Sequence, residues 1–189
     1  MATMNQVGVG LSGATGTGAF VGSNTPTLTT PIIGAASATS IAFTSTSEII
    51  GTTTNNDAAA GSVGQLVSVV ALSGSGDVVS LSSTVTADLF SISLTAGDWD
   101  VWGNVGFAPS VGVSRGIANI TTTSATISNA ALRTDLSLFG TTVADAFTLP
   151  VAQLRFSLSG TTTIYMAVQA TVATGSCNAY GGMYARRAR

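Results

Sequence analysis

The sequence predicts an all-β protein in which a jelly-roll-like β-sandwich follows an extended N-terminal arm. Apolar and polar side chains alternate with a two-residue period in short runs, and no stretch keeps the 3.6-residue apolar period of an amphipathic helix. Thr, Val, Ile and Ser are abundant, which is typical of strands. Gly, Ser and Asn separate the runs, as in turns. Several short strands at this spacing are typical of a sandwich or jelly roll.

The clearest alternation lies in residues 88–94 and 98–107. The first run places three apolar side chains on one face and two serines on the other. The second run predicts an apolar face turned inward and a polar face turned outward. Its inward set is Trp99, Val101, Val105 and Phe107, and its outward set is Asp98, Asp100, Trp102 and Asn104.

Further strands are predicted along the rest of the second half of the chain. In the segment 132–138, the period places Leu132, Leu136 and Leu138 together on one face. Two runs separated by Ser159–Gly160 predict a β-hairpin. In addition to the two strands above, the sequence predicts strands at 64–72, 115–123, 132–138, 153–158, 161–172 and 178–187.

Charge divides the chain into an arm, 1–50, a linker, 51–62, and a domain, 63–189. The first charged residue is Glu48, so the first 47 residues carry no charge. Gly, Ser, Thr, Asn and Pro interrupt this stretch, and no run approaches the ~18 apolar residues of a membrane-spanning helix. We therefore expect no membrane insertion. An uncharged arm of this kind is expected to be buried against other chains of an assembly.

The overall charge balance argues against nucleic acid as a partner and favours association with other subunits. Only 7% of the residues are charged, against about 25% in ordinary soluble domains. Six Arg face eight acidic residues, giving a net charge of −2, which argues against nucleic-acid binding. A surface with so few charges tends to self-associate, so permanent contacts with other subunits are expected.

The chain lacks most catalytic side chains. It contains no His and no Lys, which excludes a Ser–His nucleophile and a Schiff-base lysine. It also lacks the Cys/His clusters that zinc needs, and the Gly-rich run 13–18 has no lysine for a phosphate. The single Cys177 excludes an intramolecular disulfide and is expected to be a small buried apolar residue. No enzyme activity, cofactor or metal is therefore expected.

Two groups of residues remain as candidate sites. Asp98 and Asp100 share a strand face about 7 Å apart, a spacing that suits two-carboxylate glycoside hydrolysis, although a solvated strand face is the favoured interpretation. Trp102 shares this face with both carboxylates and with Asn104. It could stack on a sugar or pack in the core, but a subunit interface is favoured. The C-terminal arginines, Arg186, Arg187 and Arg189, are interpreted as a solvated end, with an ionic contact between subunits as the alternative.

The arm and the domain each resemble a known group of proteins. The arm phrase GLSGATGTGAFVGSNTPTLTTPIIGAASATSIAF resembles the Gly/Thr/Pro phrases of tailed-bacteriophage tail fibre and tail appendage proteins. The domain resembles the trimeric jelly-roll knobs that are similar to tumour necrosis factor and the complement globular head. The segments that carry this second resemblance are LTAGDWDVWGNVGF, FSLSGTTTIYMAVQATV and AYGGMYARR.

Together the two resemblances imply a bacteriophage virion protein. It would be a homotrimer that docks to other virion proteins through residues 1–50 and presents a β-knob to a host cell-surface glycan or protein. It would be assembled in the bacterial cytoplasm and released by lysis as part of the virion. The chain departs from long tail fibres in having little or no shaft. A capsid, neck or head-fibre protein without a receptor is therefore the alternative, and a small glycan-degrading tail enzyme is less favoured.

Overall fold

The computed structural model describes residues 57–127, 132–138 and 141–189. The predicted arm and the first part of the predicted linker, residues 51–56, lie outside this range. The described residues form nine strands and no α-helix, which confirms the all-β prediction, and none of them belongs to a helix able to cross a membrane. The strands are β1 Leu66–Ala71, β2 Val79–Leu81, β3 Ala87–Leu94, β4 Gly97–Pro109, β5 Val113–Thr121, β6 Arg133–Ser137, β7 Phe147–Leu158, β8 Thr162–Val172 and β9 Cys177–Arg187.

The strands form two antiparallel sheets, which confirms the predicted β-sandwich. Sheet A has the order β1-β9-β4-β7, with β2 also paired to β9, and sheet B has the order β3-β8-β5-β6. The chain passes from one sheet to the other at every connection except β1–β2 and β5–β6. This winding is that of a jelly roll.

The core lies between the two sheets and takes one face of each strand. The inward set predicted for β4 is confirmed, because Trp99, Val101, Val105 and Phe107 are all at most 1% exposed. Ile164 and Met166 of β8 face them from sheet B and are also fully buried. Cys177 is buried as expected, and this burial raises the pKa of its thiol to about 11.

The predicted hairpin at Ser159–Gly160 is wrong. β7 pairs with β4 in sheet A, whereas β8 pairs with β3 and β5 in sheet B, so the turn carries the chain between the sheets. Both strands turn an apolar face to the same core. The sequence shows the same alternation whether the two strands pair as a hairpin or lie in opposite sheets. Neither Ser159 nor Gly160 has the positive φ that the common two-residue hairpin turns, types I′ and II′, require at the first or at both central positions.

Other strand predictions are correct in place but not in extent. β7 begins at Phe147, six residues before the predicted start, and the three-residue β2 was not predicted. Leu132 was expected to share a strand face with Leu136. It instead precedes β6 and is 46% exposed, while Leu136 packs against the core.

The residues that follow the predicted linker are attached to sheet A. Turns join Ser62 to Ala59 and Gln65 to Ser62. The Gly64 amide then donates to the Arg187 carbonyl, and the Arg187 amide donates to the Gln65 carbonyl, both at 2.9 Å. The chain therefore enters β1 beside the C-terminal end of β9.

Candidate functional site

The candidate site is the outer face of sheet A, meaning the side of β1, β9, β4 and β7 turned away from sheet B. The residues predicted to face outward on β4 do lie on this side. They differ in accessibility: Asp98 is buried, Asp100 and Trp102 are partly buried, and Asn104 is exposed. Their placement follows from the strict alternation of β4 between the core and this face.

Asp98 anchors the C-terminal end of the chain. Its carboxylate forms an ion pair with Arg189, while its backbone amide donates to the Arg189 carbonyl at 3.1 Å. A hydrogen bond from Ser157, reinforced by the Arg189 guanidinium, holds the pKa of Asp98 below its usual value against the opposing effect of burial. This carboxylate has a structural partner on each side.

Asp100 is held by β7. The Arg155 Nε lies 2.5 Å from Asp100 Oδ1 and the Arg155 Nη2 lies 2.8 Å from Oδ2, which is a bidentate pair. The hydrogen bond and charge of Arg155, with a further hydrogen bond from Gln153, lower the pKa of Asp100. The carboxylate is therefore ionised and fixed in orientation at neutral pH.

These environments do not suit the glycosidase hypothesis. A glycoside hydrolase needs one carboxylic acid whose pKa is raised so that it can protonate the leaving oxygen. The pKa values of Asp98 and Asp100 are both lowered, and both carboxylates are bound to arginines. Neither residue is in a state to act as that acid.

A shift in strand register places Gln153 beside Asp100. Val101 pairs with Leu154 but Gly103 pairs with Val151, so β7 contributes two residues opposite Trp102. This is a β-bulge, which changes the direction of side chains on the bulged strand. Gln153 and its neighbour in the bulge are both exposed.

Two aromatic side chains meet in the middle of the outer face. Trp102 pairs with Tyr184 across β4 and β9, and their rings are stacked with centroids 5.9 Å apart at 20°. Trp102 is thus neither in the core nor isolated on the surface. It is one half of an aromatic pair that is partly open to solvent.

A third aromatic ring lies flat on the backbone nearby. Tyr180 is opposite Gly106, and a Cβ built on this glycine would lie only 2.3 Å from the tyrosine ring. Because Gly106 has no side chain, the Tyr180 ring can lie against the backbone at this position. Tyr180 and Tyr184 belong to the same strand, so the aromatic surface is continuous along β9.

Two shallow pockets flank these rings and differ in chemistry. The polar pocket, of about 250 Å³, is lined by Asp100, Trp102, Gln153 and Arg186. The apolar pocket, of about 220 Å³, lies farther along the strands, towards β1. It is lined by Val70, Ala71, Leu72, Ser73, Asn104, Tyr180, Gly181, Gly182 and Tyr184.

The β1 side of the outer face is unusually apolar for an exposed surface. Val70 is 48% exposed and Leu72 is 70% exposed, and both line the apolar pocket. Leu66, at 39%, belongs to the same edge strand as Val70, whereas Leu72 follows the end of that strand. β1 contains no charged residue and no proline, which are the usual protections of a sheet edge.

The interpretation of the three C-terminal arginines as a solvated end is wrong for Arg187. Its side chain is buried, lies 4.4 Å from the centre of the Trp99 ring and donates to the Ala96 carbonyl at 2.8 Å. Arg189 is exposed but bound to Asp98. Arg186 is exposed on the outer face and forms no ion pair with any described residue.

Sequence reasoning found the β4 residues of this surface but missed those of β9 and β7. Tyr180, Tyr184 and Arg186 follow a two-residue period in the predicted last strand, so their common face was available from the sequence. Their position next to Trp102 was not, because it requires the pairing of β4 with β9. Gln153 joins the site through the bulge, for which the alternation gives no signal. Among the described residues, no group of acidic or Cys side chains is arranged to hold a metal.

Comparisons with known proteins give no family. The chain matches no protein-family profile and no curated protein sequence. It is similar in structure to chains of infectious bursal disease virus: the Gt strain, with 19% identity over 64% of this chain and 32% of that chain and a TM-score of 0.42; the T13 viral particle, with 20% identity, 66% and 31% coverage and a TM-score of 0.43; and the VP2 subviral particle, with 16% identity, 66% and 33% coverage and a TM-score of 0.43. This chain spans about a third of the length of those chains. Likenesses this weak decide neither family nor function.

Proposed function

We propose that this chain is a virion structural protein of a tailed bacteriophage, a tail fibre or tail appendage. In this proposal, residues 1–50 dock to other virion proteins, and the β-sandwich associates as a homotrimer and contributes to attachment to the host surface. The observation that carries the proposal is the exposed apolar surface that the described residues form around the apolar pocket, in a chain with only 7% charged residues.

The apolar pocket supports a second copy of this chain as its occupant. The exposed aliphatic side chains of Val70, in β1, and of Leu72, just after it, lie beside the rings of Tyr180 and Tyr184, and none of the described residues lining the pocket is charged. Interfaces are enriched in aromatic side chains and depleted in charges at their centre. Burial of this surface in a symmetric oligomer would also cover the unprotected edge of β1.

Light scattering on a variant pair tests the association. We expect the wild-type chain at micromolar concentration to have about three times the monomer mass of 18.7 kDa. Val70→Glu should shift the protein to monomer, because burying an unpaired carboxylate costs several kcal/mol. Val85→Glu is the matched control, since Val85 is 56% exposed but lies in the β2–β3 connection. A monomeric wild type, or equal effects of the two variants, would contradict the proposal.

Imaging of labelled particles distinguishes the tail from the capsid. An antibody against residues 57–189 should mark the tail of the native particle if the chain is a tail fibre or appendage. Labelling spread over the head shell or confined to the neck would favour the decoration or head-fibre alternative.

A further inference from the structure

The polar pocket has a composition that the apolar pocket lacks. It combines one aromatic wall, Trp102, with a carboxylate, an amide and a guanidinium, supplied by Asp100, Gln153 and Arg186. These four side chains come from three adjacent strands of one sheet, so rigid backbone pairing sets their separation. Sites placed on strands hold their geometry better than sites placed on loops.

Arg186 is the cation in this pocket that the described residues leave without an acidic partner. Asp100 stands directly opposite it in the β4–β9 register, but the carboxylate of Asp100 is turned to Arg155 on the other neighbouring strand. Arg187 is buried, and Arg189 is bound to Asp98. The donors of Arg186 therefore face a pocket in which an external anion can accept hydrogen bonds.

Asp100 and Gln153 supply oriented polar groups on the opposite wall. The bidentate contact with Arg155 fixes the plane of the carboxylate and keeps it ionised. With the further hydrogen bond from Gln153, one of the roughly four lone-pair directions of the carboxylate remains free. The amide of Gln153 can both donate and accept. Such a pair suits neighbouring hydroxyl groups, which are donors and acceptors at once.

The indole ring of Trp102 offers a surface on which the apolar face of a sugar ring can pack. A pyranose ring has one apolar face of C–H groups, and these pack on an indole ring. Trp102 is held in place by stacking on Tyr184 and is partly open to solvent. A volume of about 250 Å³ is below the range of pockets for drug-sized ligands and suits one sugar ring.

We propose that the polar pocket binds an acidic sugar of the hexuronate class. Its carboxylate pairs with Arg186, its C–H face lies on Trp102, and its hydroxyl groups bond to Asp100 and Gln153. The site deepens the attachment role proposed above and rests on it for its biological meaning. Because sugar binding and oligomeric state are measured separately, failure of the site leaves the structural role untouched.

Fluorescence titration with two matched sugars tests the site. The full-length chain is titrated with galacturonate and with galactose, which differ in the carboxylate. We expect galacturonate to change the emission of Trp102 and to bind at least about tenfold more tightly than galactose, because a charge-assisted contact with Arg186 is present only for the acid. In Trp102→Phe the signal should disappear, since the remaining Trp99 is 1% exposed and lies on the core side.

A pair of arginine variants makes the test specific. Arg186→Gln should lower the affinity for galacturonate at least about tenfold and bring it close to that for galactose. Arg189→Gln removes a charge from the same face but not from the pocket lining, and should leave the affinity unchanged. Saturation-transfer NMR supplies a binding readout for the Trp102→Phe variant, and melting temperatures verify that each variant is folded.

Four outcomes would overturn the proposal. The first is that neither sugar binds, and the second is that both bind with equal affinity. The third is an unchanged affinity for galacturonate in Arg186→Gln, and the fourth is displacement of galacturonate by an equal concentration of sulfate. The last result would mean that the pocket holds an adventitious ion only. Absence of binding by a wild-type chain that light scattering finds trimeric would reject the site and retain the structural role.

Discussion

The two tryptophans of β4 lie three residues apart and face opposite sides of sheet A. Trp99 is fully buried between the sheets, where its indole N–H donates to the Thr95 carbonyl at 2.9 Å and Arg187 lies over its ring. Trp102 lies on the outer face, stacked on Tyr184 and partly open to solvent. One strand thus carries a large aromatic side chain on each face, and the residues that the structure describes bury only Trp99 fully.

The difference between the two tryptophans illustrates two roles that an apolar side chain can have in this chain. Trp99 stabilises the fold of a single chain through burial in its own core. Trp102, Tyr180 and the exposed Val70 add little to that core, and exposed apolar surface of this kind is typical of interaction sites. Substitutions on the inner face should therefore lower stability, and those on the outer face should alter association or binding.

The largest expected effect is that of Trp99→Ala. This variant should lose about 3–5 kcal/mol of the free energy of unfolding, because it opens a cavity in the core and removes the ring under Arg187. Trp102→Ala should lose only the stacking energy of its partly exposed ring, about 0.5–1.5 kcal/mol. Urea denaturation at one low protein concentration measures both. Equal losses would show that the two faces do not differ in this way.

A smaller effect is expected from Gly106→Ala on the outer face. The added Cβ collides with the Tyr180 ring and should cost about 1–3 kcal/mol as the ring is displaced. Gly160→Ala is the matched control, because no atom lies within 4 Å of its Cβ position and its φ is not positive. Thermal unfolding of the pair separates the collision from the general effect of adding a methyl group. A stability unchanged in Gly106→Ala would mean that Tyr180 moves without cost.

The smallest effect is expected from pH, which acts on the three carboxylates of the sheets that form ion pairs with arginines. Hydrogen bonds from Ser157 to Asp98, from Arg155 to Asp100 and from Arg115 to Asp135 are the main causes that lower the pKa values of these three carboxyls. The unfolded chain then binds protons at a higher pH than the folded chain. The contribution to stability is complete above about pH 5 and is lost as pH falls through the lowered pKa values.

Denaturation midpoints between pH 8 and pH 2 measure this effect. Because the chain contains no His, we expect a flat profile between about pH 5 and pH 7. Below that range stability should fall, and Asp135→Asn should weaken the fall by removing one of the three carboxyls. A loss of stability between pH 5 and pH 7 would be inconsistent with this account.

The inner face could be predicted from the sequence because its signal is local. Alternation alone identified Trp99, Val101, Val105 and Phe107 as core residues and placed Asp98 and Asp100 on the other face. The partners of these aspartates were not predicted. Arg155 and Arg189 are 55 and 91 residues away from them in the chain, and only strand pairing brings them together. The burial of Arg187 depends in the same way on Trp99.

The error at Ser159–Gly160 has a similar origin. An apolar face on each of two consecutive strands indicates that both contact one core, but it does not indicate whether they contact it from the same side. In this fold β7 and β8 contact it from opposite sides. Side-chain periodicity therefore predicts which side chains face the core, but it does not predict which strands are neighbours in a sheet. The composition of the outer face depends on those neighbours.

The central position of β9 in sheet A has a consequence for synthesis of the protein. β9 comes last among the described strands, yet it pairs with β1, β2 and β4. While the chain is being translated, β1 has no neighbour among the described strands of sheet A until residues 177–187 have left the ribosome. The apolar β1 segment must therefore remain unpaired in this sheet while the strands between β1 and β9 are synthesised, and chaperones would be needed most at that stage.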